Sequence, residues 1–332
     1  MQTKKVLLVG GSGFIGGYVA SRLSSAGLRV TIPTRRRERA KTLIMLPGVD
    51  VVEANIHDTE QLEALVAGQD AVINLVGILH SSDVRIPYGS EFAEAHVDLP
   101  VRLLAACKKH NVRRLLHMSA LNAGELIDGH GVSEYLSSKG DGEAAVLAAA
   151  QQLAVTVLRP SVVFGLGDNF MTMFAHMAAL YPRSLPTALK IFPLGCATAR
   201  FQPVWVGDVA AAFVSALENP ATFGQRYDLC GDKIYSLQEL VAYAAAQVGV
   251  RLNIVALGEG LSYLQAGLLS LLPTPLMSPD NLRSMRLDSV CSGRTPVFPD
   301  WQPQALEAIV PGYISHNSPG DRMAQYRNIA GR

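Results

Sequence analysis

The sequence predicts an α/β protein: a doubly wound parallel sheet with a smaller C-terminal α/β lobe. Three observations carry this. Short, wholly apolar runs, beginning with Val6-Leu7-Leu8-Val9, have the composition of strands buried on both faces. Stretches with apolar residues at helical spacing separate these runs through the first half of the chain. The runs also break off into glycine, asparagine or serine, at the strand ends where such a sheet gathers its ligand loops.

The first run leads into Gly10-Gly11-Ser12-Gly13-Phe14-Ile15-Gly16, after which Phe14, Ile15, Val19 and Leu23 recur as one helix face does. The glycines therefore occupy a strand-to-helix turn. There the backbone can approach a pyrophosphate, and the free N–H groups of a new helix attract it. A glycine triplet alone equally marks a tight turn with no ligand; its place directly after the first strand favours the nucleotide reading.

Bulk properties narrow the field. Lys and Arg number 29 against 28 Asp and Glu, a net charge of +1 over 332 residues, so no global field recruits nucleic acid. The four cysteines are scattered without a C-x-x-C pair or a histidine at ligand spacing, so neither a metal site nor a disulfide is expected. No charged leader precedes the first strand, which leads to the expectation of a cytoplasmic protein. The apolar stretch at 261–273 is too short to span a bilayer, so no transmembrane span is expected.

Along the chain, Arg29–Pro33 reads as the second strand, and Thr34-Arg35-Arg36-Arg37 follows at once. An acidic residue near this strand end would accept the ribose hydroxyls of NAD. Arginines there suit a 2′-phosphate by charge and donor geometry, so NADP(H) is favoured over NAD(H), although such a run can also be a solvated face. Val49–Glu53 forms a third strand, and Asn55 and Ile56 just beyond it are candidates for adenine contacts. A helix from Thr59 to Ala67 and a strand from Ala71 to Gly77 follow, then a helix from Glu91 to His110 and a strand from Arg114 to Met118 that delivers Ser119.

Ser133 opens an alanine-rich helix in which Tyr135 and Lys139 share one face, four residues apart. A lysine there can hold ribose hydroxyls and favour ionisation of the phenol, although the same spacing also suits a plain packing pair. Gly140 and Gly142 inside this helix disfavour it unless another element packs closely, a strand or a second subunit. Val155–Gly165 reads as a strand with Pro160 marking its exit from the sheet. Arg200–Ala210 restores strand and then helix, with Asp208 near the helix start.

In this order the pieces resemble the extended and atypical short-chain dehydrogenase/reductase superfamily. The likeness covers residues 5 to 240 and rests on Gly10-x-x-Gly13-x-x-Gly16, Tyr135-x-x-x-Lys139, Leu158-Arg159-Pro160-Ser161 and Val206-Gly207-Asp208-Val209-Ala210. It implies a Rossmann-type sheet, with Tyr135 as proton donor or acceptor and Lys139 on the nicotinamide ribose. It further implies cofactor contacts at Gly10, Gly13, Phe14, Ile15, Gly16, Arg35, Arg36, Asn55, Ile56, Leu75, Val76 and Gly77. The rest of the implied set is Ser119, Tyr135, Lys139, Pro160, Ser161, Val162 and Val163. Met118–Ala123, Tyr135–Lys139 and Arg200–Val204 are most similar to the nucleotide-binding accessory subunit of respiratory complex I and its bacterial relatives, a group that holds NADP(H) for structure or assembly.

One departure bears on chemistry. Where epimerases and dehydratases of the superfamily carry a catalytic Ser or Thr two residues past Ser119, this chain has Ala120-Leu121. The lost hydroxyl removes a donor that polarises the substrate oxygen, worth about 2.7–4 kcal/mol of transition-state stabilisation; Ser119 replaces it only if the loop bends. Asn55 likewise stands where an acidic residue is common.

Residues 1–165 and 203–230 are expected to form the nucleotide-binding domain, 166–202 and 231–318 a substrate or partner lobe, and 319–332 a flexible tail. Ser236 with Glu239 predicts a capped helix to Val248. Leu261–Leu272 admits three readings: a buried helix, a docking surface for a membrane or a membrane respiratory complex, or the lining of an apolar substrate site. Three functions follow: an NADP(H)-holding accessory protein, peripheral on the cytoplasmic face of the inner membrane; an active oxidoreductase or epimerase acting on an apolar or sugar-nucleotide substrate; and a sensor of the NADPH/NADP⁺ ratio.

Overall fold

A computed structural model describes residues 3–81, 83, 86–270 and 277–314. The chain forms two compact units. The first comprises Met1–Pro160, Val206–Leu229 and Cys291–Trp301, and the second Ser161–Trp205, Cys230–Val290 and Gln302–Arg332. No motif in the sequence marks the return of 291–301 to the first unit.

The first unit opens with β1 (Lys5–Val9), α1 (Phe14–Ser25), β2 (Arg29–Thr34), β3 (Val49–Glu53), α2 (Thr59–Val66) and β4 (Ala71–Asn74). It continues with α3 (Ser90–Ala93), a π-helical turn at Glu94–Asp98, α4 (Leu99–Lys109) and β5 (Arg114–Met118). A hairpin of β6 (Leu126–Ile127) and β7 (His130–Gly131) precedes α5 (Glu134–Ala148) and β8 (Ala154–Pro160). In the second unit lie β9 (Val163–Phe164), α6 (Met171–Ala179), β10 (Ile191–Leu194), β11 (Arg200–Phe201) and β12 (Val204–Trp205). The first unit resumes with α7 (Val206–Glu218) and β13 (Gln225–Leu229), and the second with β14 (Tyr235–Ser236), α8 (Leu237–Gln247), β15 (Asn253–Ala256) and α9 (Glu259–Ser270).

Seven strands make one parallel sheet in the order β3-β2-β1-β4-β5-β8-β13. Val6–Val9 and Ala71–Ile73 are fully buried, as strands covered on both faces must be. Strand order reverses at β1 and β4, and a doubly wound sheet opens its ligand crevice at such a reversal. Because every strand is parallel, Gly10, Thr34, Glu53, Asn74, Met118 and Pro160 mark one carboxyl edge. The second unit has its own core of Phe164, Phe174, Phe192, Leu240, Val241 and Tyr313. The Ser236 cap forms as expected, its hydroxyl accepting the Glu239 N–H at 3.2 Å while the Glu239 carboxylate accepts the Ser236 N–H at 2.7 Å.

Several local expectations are corrected. β4 stops at Asn74, because the Asn74 side-chain oxygen accepts the Val76 N–H at 3.1 Å and turns the chain. The run expected as one strand across 155–165 splits: β8 ends at Pro160, and Val163–Phe164 pairs with β12. Cys230 and Cys291 are disulfide-bonded, since bridging follows proximity in the fold and not spacing in the sequence. In α9 only Ser262 and Ala266 are buried, while Leu261, Leu264 and Leu268 are about 60 % exposed, so the buried-helix reading fails. Leu271–Pro273 and the tail at 319–332 lie outside the described residues.

The glycines of α5 have an intramolecular cause. The π-helical turn carries the His96 carbonyl onto α5, where a Cβ on Gly142 would overlap it. A Cβ on Gly140 would likewise meet the Gly124 backbone. Helix propensity alone would make Gly142→Ala stabilising by about 1 kcal/mol. Overlap reverses the sign: urea denaturation of Gly142→Ala should show a loss of about 1–3 kcal/mol, and a gain would refute the packing.

Candidate dinucleotide site

Gly10 has φ +82°, which L side chains rarely adopt, and a Cβ there would lie 3.1 Å from the Leu75 carbonyl carbon and the Val76 nitrogen. The turn after β1 thus presses against the turn after β4. Gly16, in the first turn of α1, packs on the Gly10 carbonyl, which a Cβ would overlap. Gly13 caps α1 without a side-chain hydrogen bond, and no acidic residue occupies the first turn. The N–H groups of Phe14, Ile15 and Gly16 therefore open the helix unclaimed by any side-chain cap, a donor set that fits a pyrophosphate.

Lys139 is 2 % exposed, and its Nζ donates to the Met118 carbonyl at 2.9 Å and the Val76 carbonyl at 3.4 Å. A Cβ on Gly77 would sit 3.2 Å from that Nζ, a tight contact that a shift of a few tenths of an ångström by the ammonium would relieve. Burial pulls the Lys139 pKa down to about 8, while the negative charge of Glu143 opposes the fall. Tyr135, half-buried one turn earlier, packs edge-on to His96 with ring centroids 5.6 Å apart. Burial pushes its phenol up to about 12. The Lys139 ammonium, one turn on, is held by the Val76 and Met118 carbonyls.

Four polar residues around this pair, His96, Ser138, Asn74 and His117, escaped sequence reasoning. His96 is 1 % exposed and its Nε2 accepts the Ile78 N–H at 3.0 Å, so in the neutral ring Nδ1 carries the proton toward Ser138 Oγ at 2.8 Å. Ser138 in turn donates to the Tyr135 carbonyl at 3.0 Å. Asn74 Nδ2 lies 3.2 Å from His117 Nδ1, and His117 Nε2 is buried with no partner among the described residues. The π-helical turn, visible only in three dimensions, puts His96 there; the periodicity of Glu91–His110 gave no signal of it.

Ser119 is 3 % exposed, and its Oγ has no partner among the described residues. Ala120 and Leu121 are buried apolar side chains, with the Leu121 N–H fixed to the Pro160 carbonyl at 3.1 Å. Arg35 and Arg36 are exposed beyond β2, where the Thr34 hydroxyl and the Arg36 backbone close a short turn. Asn55 is exposed, its side chain accepting the His57 N–H at 3.1 Å, and Ile56 packs partly against the core. Ser161, Val162 and Val163 belong to the second unit, where Ser161 Oγ donates to the Ser289 carbonyl at 2.8 Å. No group of three or more metal-ligating side chains occurs among the described residues.

Burial holds His96 and His117 far below the usual histidine range, at about 2 and about 3, with the Lys139 charge adding to both shifts. A lowered native pKa means that the unfolded chain binds these protons and the native one does not. Stability is then complete above pH 6.5 and falls as pH drops toward 3, by up to about 1.4 kcal/mol per pH unit for each histidine. Urea melts of His117→Asn between pH 7 and 4 should show a shallower loss than the wild type; identical slopes would contradict the buried, neutral assignment.

Sequence comparison places this site among known proteins. A model of the NAD dependent epimerase/dehydratase family matches residues 6–230. NADH dehydrogenase (ubiquinone) 1 alpha subcomplex subunit 9, mitochondrial, of Arabidopsis thaliana is 26% identical over 307 residues, covering 88% of this chain and 72% of the relative. The Mus musculus subunit of that name is 30% identical over 238 residues, 70% of this chain and 58% of the relative, so the match spans under two thirds of the mouse protein. Among solved structures, UDP-glucose 4-epimerase of Thermus thermophilus in complex with NAD superposes with a TM-score of 0.64 at 20% identity, over 94% of this chain and 98% of that one. Pal from Bacillus thuringiensis gives 0.70 at 16% identity over 94% and 98% of the two chains; both likenesses establish the fold. Glycine turn, parallel sheet and Tyr135/Lys139 helix therefore fall within the matched span, and the chain belongs to the NAD dependent epimerase/dehydratase family.

Proposed function

We propose that the protein holds NADP(H) and serves as an accessory or assembly factor of a respiratory NADH:quinone oxidoreductase. The observation that carries this reading is the asymmetry of the site. The Gly10–Gly16 cradle and the buried Lys139 ammonium support a seat for the nucleotide. Set against that seat, Ala120 and Leu121 supply no hydroxyl to polarise a substrate oxygen and turn apolar side chains into the interior. A nicotinamide, when bound, supplies or accepts a hydride; this chain's residues would orient it, with the protonated Tyr135 as donor at the ribose end.

Two observations support the finer points. Arg35, Arg36 and Arg37 are exposed at the end of β2, available to a 2′-phosphate. The relatives named above are subunits of NADH dehydrogenase, and the outward stripe of Leu261, Leu264 and Leu268 on α9 is the surface this reading assigns to the respiratory complex. No helix among the described residues is long and apolar enough to cross a membrane, so such a contact would be peripheral. Ser119 favours a second reading, an active oxidoreductase or epimerase: its buried hydroxyl has no partner among the described residues and would be the donor left for a substrate oxygen.

Fluorescence titration with NADPH and NADH tests the nucleotide. Wild type should prefer NADPH, and Arg35→Ala should weaken NADPH roughly tenfold while leaving NADH nearly unchanged, the scale of one hydrogen bond to a charged group. Equal wild-type affinities would refute the assignment. Co-migration with membrane NADH:quinone oxidoreductase from the native host tests the role; turnover on a substrate panel, abolished in Ser119→Ala and Tyr135→Phe, would favour the second reading.

A further inference from the structure

Glu143 lies one helical turn beyond Lys139 and two beyond Tyr135 on the same face of α5. Its side chain is only 4 % exposed, with Oε1 3.2 Å from Arg226 Nη1 and Oε2 3.7 Å from Arg159 Nε. Arg159, equally buried in β8, faces Asp228 Oδ1 at 3.5 Å, its register partner on β13. The same guanidinium donates to the Ala120 carbonyl at 3.2 Å and the Ala123 carbonyl at 3.5 Å. It thus stands between the loop that follows Ser119 and the helix that carries Tyr135 and Lys139.

Stability does not account for this arrangement. Glu143 Oε2 and Asp228 Oδ1 are buried and receive no hydrogen bond among the described residues, although Arg226 Nη1 donates to Glu143 Oε1 at 3.2 Å, so the contacts of both oxygens with Arg159 are ionic. Buried ion pairs without full hydrogen bonding are poor stabilisers, and apolar replacements of equal volume commonly do as well. What the network does achieve is geometric: one cation fixes the loop, and one anion fixes that cation to the nucleotide helix.

We propose that Glu143 is a positioning residue of the nucleotide site, tying the Ser119–Ala123 loop to α5 through Arg159 and supporting the Lys139 ammonium with its own charge from the next turn. The proposal rests on the reading that the nucleotide is seated against Lys139. The groups whose charge acts on or is acted on by that ammonium are Glu143 from α5, His96 from the π-helical turn and His117 from β5, with the Tyr135 ring packed on His96. Burial holds both histidines far below their usual range and pushes Tyr135 up to about 12, whereas it brings Lys139 down to about 8.

The test is the NADPH dissociation constant of the full-length protein between pH 6 and 9.5. Wild-type affinity should fall through a midpoint near 8 as Lys139 loses its proton. Glu143→Gln should move that midpoint down by about one pH unit, which at pH 7.5 weakens binding about threefold. Glu143→Asp, which keeps the charge, should stay near the wild type. Arg226→Gln, at the exposed end of the network, should move the midpoint up by leaving Glu143 less neutralised; it serves if Glu143→Gln does not fold. Asp228→Asn, which strips the other carboxylate from Arg159, should lower the unfolding midpoint without shifting the pH profile. A profile unmoved by Glu143→Gln and Arg226→Gln, or moved as much by Asp228→Asn, overturns the proposal. A wild-type affinity independent of pH overturns the seating against Lys139, and the proposal with it.

Discussion

Everything in the candidate site depends on how closely three pieces of backbone meet at the strand reversal. The turn after β1 touches the turn after β4 at Gly10, and α1 closes on that turn at Gly16, with no space for a side chain at either position. This contact is cheap in glycine and prohibitive in any other residue, because a Cβ would strike main-chain atoms that have nowhere to go. Once made, it fixes the first turn of α1 beside the ends of β4 and β5, and the unclaimed N–H groups of the helix face the same edge as Lys139.

A second constraint follows from burying Lys139. An ammonium removed from water needs acceptors, and the Met118 and Val76 carbonyls provide them from the ends of β5 and β4. The lysine therefore acts as a clamp across the two strands whose loops flank the site. Around it, His96 and His117 are kept neutral, which avoids packing like charges into one dry region. Burial raises the Tyr135 phenol, and Ala120 and Leu121 follow Ser119 as buried apolar side chains. Ser119 retains a hydroxyl that no described residue claims.

Much of this was legible in the sequence. Val6–Val9, the glycine triplet and the alternation of strands with helices led to the sheet and its reversal, since buried parallel strands leave strong compositional traces. Tyr135 and Lys139 were recognisable as a face-sharing pair joined to other motifs. What stayed hidden depends on contacts between distant residues. The π-helical turn that brings His96 under Tyr135 leaves no periodic mark. The charge network of Arg159, Glu143 and Asp228 joins three segments whose acidic and basic residues look like ordinary surface charge when read singly. The disulfide at Cys230 and Cys291 likewise had no spacing signal. Gly140 and Gly142 were visible as anomalies, and their cause, the Gly124 backbone and the His96 carbonyl, was not.

The central claim is that the cradle and clamp hold NADP(H). Mass spectrometry of the small molecules released when the protein, purified from its native host, is denatured addresses it most directly. The account predicts NADP⁺ or NADPH at close to one per chain, retained through purification. Release of NAD(H) alone, of a sugar nucleotide alone, or of no nucleotide from a folded preparation would contradict it.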